Sequence, residues 1–259
     1  MRKYWQFIKM SFQELAEFRM NLLWEIGGIS IYNIFIYLFW VTALSSGISD
    51  SGYTTQSLGI YYLLIILVGQ FTYFNFWDIA NSIRDDYISV DIAKPYNFTL
   101  KSFCITVAPK IVKVVITLSV LIYILHISGF QTTLTKTFLF ILGLLLASIA
   151  RFFIGMSIGL LAFWFKRVHG FNALFWHVGG LFSGELIPID LLPIFILNIS
   201  IWLPFQYLTY FPVSLIIKNI EPYQIFIGFF IQTFWIICFG MIYRFLWTKG
   251  IRKLESAGG

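Results

Sequence analysis

The sequence predicts an all-α membrane protein with six transmembrane helices, an N-terminal interfacial amphipathic helix and a re-entrant external segment between spans five and six. Three observations predict it. Of the 259 residues 59% are apolar and only 12% charged, with a mean hydropathy of +0.81; a soluble domain carries roughly twice that charge. The apolar residues fall into separate runs near the ~20 residues that a helix needs to cross a bilayer. The Lys and Arg residues cluster between alternate runs, which fixes a topology. The net charge of +6 therefore points to a membrane surface and not to nucleic acid. The 20% of Phe, Tyr and Trp suits anchoring at two membrane–water interfaces.

Residues 1–21 come first. Trp5, Ile8, Phe12, Leu15 and Arg19 recur at steps of three or four, with Lys9, Gln13 and Glu17 on other faces. This spacing predicts a helix lying on the membrane surface, in contact with lipid, and not a cleavable signal peptide, which has a central apolar block. The spans follow at 22–44, 58–80, 103–127, 138–165, 171–187 and 224–247. The fifth is short and ends at Pro188; a Pro-broken apolar stretch continues to 222. Fifteen Lys and Arg residues fall on the side of the two termini, among them Lys166 and Arg167 after span four, and only Lys136 and Lys218 fall on the other. The positive-inside rule places both termini in the cytoplasm. A full crossing over 191–212 would put the basic C-terminus outside, so 188–222 is read as dipping in from the external face. The chain reads as a single transmembrane domain over 1–259, without an internal repeat.

Motifs exclude several chemistries. No GxxxxGK[ST] loop occurs, so the chain lacks that means of cradling a nucleotide phosphate. His126, His169 and His177 are scattered and at no metal-ligand spacing. Ser183-Gly184 would need His126 or His177 to act as an intramembrane hydrolase, and no second motif supports this. Cys104 and Cys238 both lie in apolar stretches.

Three features stand out. In the polar stretch 81–102, Ile83, Tyr87, Val90 and Ile92 share one helical face, Arg84, Asp85, Asp86 and Asp91 lie elsewhere, and Lys94-Pro95 ends the helix. Such a loop is either solvated or gripped by a partner. In FSGELIPIDLLP, Gly184, Pro188 and Pro193 break the backbone in or near the membrane, which is tolerated only where protein or water satisfies it. Arg151 on span four and Glu185 on span five each lie roughly 20 Å from the cytoplasmic ends at ~1.5 Å per residue. They are expected to pair inside the bundle, because an unpaired buried charge is costly; a structural role and a substrate contact both stay open. Glu25 and Asp78 lie near the cytoplasmic ends of spans one and two. Gly155 and Gly159 form a GxxxG pattern that permits close packing, within the chain or between two copies.

Together these stretches resemble a bacterial family, the permeases of ABC-2-type transporters. YRFLWTKGIRKLESAGG resembles the family's basic C-terminal ending. FSGELIPIDLLP followed by LPFQYLTYFP resembles its fifth-span end and external re-entrant region. IRDDYISVDIAKP resembles its coupling loop, matched best at Arg84, Asp91, Lys94 and Pro95; Asp85-Asp86 stands where a turn such as Ser-Gly is expected. The resemblance implies a non-catalytic membrane subunit in the bacterial cytoplasmic membrane, paired with a second permease, identical or similar, and with separate ATPase subunits that bind the ATP. It implies an exporter of a drug-like, lipid-like or peptide substrate. Ile83, Arg84, Asp85, Tyr87, Ile88, Asp91, Lys94 and Pro95 would couple to the ATPases, and Ser183, Gly184, Pro188 and Pro193 would form part of an external gate. Two other classes compete. A membrane enzyme acting on lipid or peptide needs a clustered catalytic set, and an ATPase-independent transporter needs more midplane carboxylates and inverted repeats.

Overall fold

A computed structural model describes residues 2–45, 53–165 and 167–257, with the side chains of residues 2 and 254–257 left out. Lys166 and the terminal Gly258-Gly259 lie outside the described residues. Every regular element among the described residues is a helix: α1 Arg2–Glu17, α2 Arg19–Ser45, α3 Thr55–Thr72, α4 Trp77–Arg84, α5 Tyr87–Ala93, α6 Phe98–Ser128, α7 Leu134–Leu160, α8 His169–Phe182, α9 Ile194–Ser200, α10 Phe205–Leu208, α11 Tyr210–Ile217 and α12 Pro222–Ala257. Among the described residues five segments are long and apolar enough to cross a membrane: Arg19–Ser45, Thr55–Arg84, Phe98–Ser128, Leu134–Phe163 and Pro222–Lys253.

The helices begin where side chains replace missing backbone partners. Thr54 and Ser57 form a reciprocal capping box at the start of α3. Asn97 and Thr133 accept the Leu100 and Lys136 amides at the starts of α6 and α7. α6 ends at Gly129 with a φ of +66°, a conformation that glycine adopts at little cost.

Two expected spans are not single long helices. The expected 58–80 run breaks at residues 73–76 and restarts as α4. There the Asn75 side chain accepts the Trp77 amide at 3.1 Å and donates to Asp78 at 3.0 Å, which restarts the helix. The expected 171–187 run is the 14-residue α8. At ~1.5 Å per residue that is about 21 Å, short of the ~30 Å hydrocarbon core.

α3 and α7 form the centre of the bundle. Buried side chains make up 61% of the most apolar window of the α3 segment, against 6% for α2 and 11% for α12, so α2 and α12 are peripheral. One core cluster joins Leu58, Tyr61, Leu64 and Val68 of α3 to Leu144 of α7 and Val213 and Ile216 of α11. A second joins Ile79, Ile83 and Ile88 to Phe152, Met156 and Leu160 of α7 and Tyr243 of α12. α1 lies along α6, where Ser11 donates to the Ile105 carbonyl at 2.5 Å.

The GxxxG pattern serves packing within the chain. Gly155 lies against the Phe74 ring, and a Cβ on Gly159 would meet the Ile79 Cβ at 2.9 Å. Both glycines thus bring α7 close to the 73–76 break and the start of α4. Overpacking such a contact costs about 1–3 kcal/mol. Gly159→Leu is therefore expected to lower the melting temperature of the detergent-purified protein by several degrees, whereas Gly170→Leu, at a glycine facing open space, leaves it unchanged.

Candidate functional site

Two regions carry the sequence-predicted residues, one at the C-terminal end of α7 and one beside Arg151 in its interior. The first is the α4–α5 hairpin. The helical face expected from Ile83 to Ile92 is divided, because the helix stops at Arg84 and restarts at Tyr87. Asp86 makes the turn with a φ of +59°, in the left-handed region where Asp is among the better tolerated non-glycine residues. Ile83 and Ile88 point into the bundle, and Ile88 is fully buried. Tyr87 and Val90 point outward, 68% and 52% exposed. Arg84, Asp85 and Lys94 are exposed beside them, and Arg84 pairs with Asp85 at 3.2 Å.

Asp91 closes the hairpin onto α6. It accepts from Lys101 Nζ at 2.5 Å and from the Tyr96 hydroxyl at 2.5 Å. Burial opposes its ionisation, but these two hydrogen bonds and the Lys101 charge outweigh it and hold the carboxyl below its ordinary value. Pro95 carries the chain into α6, and its carbonyl accepts from Lys3 Nζ at 3.0 Å. Phe7 meets Tyr96 edge-on at 5.3 Å, and the Tyr4 hydroxyl accepts the Asn97 amide at 3.1 Å. The N-terminal helix and the hairpin are thus one continuous surface.

The second region follows α8. Gly184 has a φ of +83°, and a Cβ there would lie 2.7 Å from the Tyr61 hydroxyl, so this position needs glycine on both counts. The non-helical strap from Ser183 is held by its neighbours. Tyr61 donates to the Gly184 carbonyl at 2.6 Å, Trp40 Nε1 to the Leu186 carbonyl at 2.9 Å, and the Tyr210 amide to the Ser183 carbonyl at 3.0 Å. Pro188 is buried and precedes a single 3₁₀ turn, and Pro193 is exposed at the start of α9. Asp190 receives the Tyr53 and Tyr210 hydroxyls at 2.7 and 2.8 Å and pairs with Lys218.

The structure brings Arg151 and Glu185 together at 2.9 Å, with side chains 12% and 18% exposed. Thr209 donates to the same Glu185 oxygen at 3.0 Å, and the guanidinium sits over the Trp176 ring at 5.1 Å. Among the described residues no hydrogen bond joins Ser183 to His126 or His177. Ser183 Oγ accepts the Glu185 amide and His177 Nδ1 meets the Ala173 carbonyl of its own helix, while His169 stacks on Trp77. Sequence reasoning missed the Lys113–Glu25 pair at 2.6 Å and the Asp190–Lys218 network. All four charges were visible in apolar surroundings, but their partners are 28 or more positions away.

Two outcomes follow. Removing one partner of a buried pair costs about 3–5 kcal/mol, whereas replacing both costs far less. Arg151→Met is expected to destabilise the purified protein strongly, and Arg151→Met with Glu185→Met to recover most of the loss in a detergent melting assay. The Asp91 carboxyl is lowered from 3.8, so its contribution is complete above that value and is lost as pH falls through the lower folded value. Amide exchange in residues 87–97 is expected to stay protected from pH 8 to about 4 and to open below it, and in Asp91→Asn to be faster throughout.

A search of curated proteins finds no match. The family described as ABC-2 family transporter protein matches residues 30–258, a range that begins near the middle of α2 and includes the α4–α5 hairpin, the strap and every later helix. The all-helical architecture, the five apolar segments and this match agree, and the chain belongs to the ABC-2 transporter family as a multi-pass membrane protein.

Proposed function

We propose that the chain is the permease subunit of an ABC-type exporter, driven by separate ATPase subunits that bind and hydrolyse the ATP, and working beside a second permease. One observation carries the proposal: the α4–α5 hairpin is anchored from behind and bare in front. Ile83 and Ile88 fix it to α7 and α12, and Tyr87 and Val90 stand out beside Arg84, Asp85 and Lys94. A loop that only had to be soluble has no need of two exposed apolar side chains on a rigid base. Asp91 and Pro95 hold the hairpin's exit against α6 and α1.

Family membership supports the ATPase partnership. The distribution of Lys and Arg supports cytoplasmic termini, and the resemblance to bacterial ABC-2-type permeases supports insertion in a bacterial inner membrane. α1 serves as the interfacial helix, with Trp5 and Phe12 exposed to lipid. The sixth crossing of the count is α8, completed by the strap at 183–193, and α9–α11 form the re-entrant external segment. Ser183, Gly184, Pro188 and Pro193 shape that strap as the external gate, with the Arg151–Glu185 pair bracing it from α7. On ATP binding the ATPases pull on the hairpin, α7 moves with it, and a path opens between the two permeases for an amphipathic substrate.

The test is association and transport. Tyr87→Asp with Val90→Asp is expected to insert normally but to lose ATPase co-purification and ATP-driven export, and Arg84→Glu to weaken both. Ile88→Asp is expected instead to lower thermal stability, because it buries a charge. Full ATPase association in the Tyr87/Val90 double variant would remove the hairpin from this role.

A further inference from the structure

Between α1, α2, the 73–76 break and α6 lies a cleft of about 440 Å³ at the α4–α5 end of the bundle. Glu14, Glu25, Asp78, Lys110 and Lys113 all line it, as does Gln70 of α3. Lys113 is neutralised by Glu25 at 2.6 Å and lies over the Tyr73 ring at 4.9 Å. The other three charges have no opposite charge among the described residues. Lys110 meets only the Ser148 hydroxyl, at 3.1 Å. Asp78 accepts only from the Asn75 amide, and Glu14 lies near enough to Asp78 to repel it. Gln70 is fully buried, and neither its Nε2 nor its Oε1 finds a hydrogen-bond partner in the protein. A buried primary amide has two donors and an acceptor to satisfy, so an orphan of this kind in the wall of a polar cleft points to a guest. The rest of the lining includes Leu15, Phe18, Leu22 and Ile105, with Phe18 53% exposed.

We propose that this cleft binds the head of a zwitterionic amphiphile: a primary ammonium on Glu14 and Asp78, an anionic group at Lys110, the polar linkage on the Gln70 amide, and the apolar tail along Leu15, Phe18 and Leu22. The leftover charges, two negative and one positive, match such a head better than a simple cation or anion. The chemistry is that of a phosphoethanolamine lipid of the bilayer or of an amine-bearing cargo on its way out. The cleft shares Glu14, Asn75 and Asp78 with the groove beneath the α4–α5 hairpin, so its occupant sits directly behind the loop assigned to the ATPases.

The full-length chain, purified without ATPase, is incubated with equimolar dioleoyl phosphatidylethanolamine, phosphatidylcholine and phosphatidylglycerol, and the retained lipid is read by native mass spectrometry. Phosphatidylethanolamine is expected to dominate, because the methylated amine of phosphatidylcholine offers no N–H to a carboxylate. Glu14→Gln with Asp78→Asn is expected to weaken it about tenfold, the loss of charge-assisted hydrogen bonds. Gln70→Met is expected to reduce retention without lowering the melting temperature, since it removes an orphan amide. Equal retention of phosphatidylethanolamine by wild type and the Glu14/Asp78 variant, or no preference over phosphatidylcholine, overturns the proposal. Vesicles containing the chain and its ATPases then separate the sources. ATP-dependent appearance of the amine lipid in the opposite leaflet marks it as cargo, and retention without movement marks it as resident; both uphold the site. Because binding is read without ATPase, its failure leaves the permease reading standing, and loss of ATPase association leaves the binding result standing.

Discussion

Backbone that leaves a helix within apolar surroundings must find its hydrogen bonds inside the protein, and the strap after α8 is where this chain meets that demand. Tyr61 and Trp40 donate to the Gly184 and Leu186 carbonyls, and Tyr210 supplies its amide to Ser183. These donors come from α2, α3 and α11, so the strap fixes how those helices stand against one another. The Arg151–Glu185 pair adds α7 to the set, with Thr209 saturating the shared carboxylate oxygen. Without the strap, the buried tyrosines of α3 would themselves lose partners. Its irregularity is therefore what holds the centre of the bundle in place.

The C-terminal end of α7 meets a different demand, close contact without hydrogen bonds. Gly155 and Gly159 remove side chains where Phe74 and Ile79 approach, and Met156, Phe152 and Leu160 pack around Ile79, Ile83 and Ile88. The hairpin is held by shape on its inner side and by Asp91, Lys101 and Tyr96 on its outer side.

Much of this was legible in the sequence. Long apolar runs placed α2, α6 and α7 to within about five residues and the start of α12 to within two, though α12 continues ten residues past the expected end at 247. Counting residues from the membrane surface put Arg151 and Glu185 at one depth, where they meet. The break at 73–76 was not legible: YFNF contains neither proline nor glycine, and what stabilises it is Phe74 packing on Gly155 and the Asn75 cap. The division of the Ile83–Ile92 face escaped for a related reason, since Asp86 adopts a left-handed turn that periodicity assumes away. Lys113–Glu25 and the orphaned Gln70 depend on which helices become neighbours, and no local pattern encodes that.

The spacing along α7 has a mechanical meaning. Gly159 touches the hairpin's base and Arg151 holds the strap, and eight residues of regular helix between them span about 12 Å. An uninterrupted helix over that distance is a stiff rod, with no proline and no side-chain relay to absorb movement. Displacement at one end would arrive at the other with little delay and little attenuation, as tilt or axial shift. Hairpin and strap would then shift together, and the stiffness of two helical turns, more than any chain of contacts, would set how closely one follows the other.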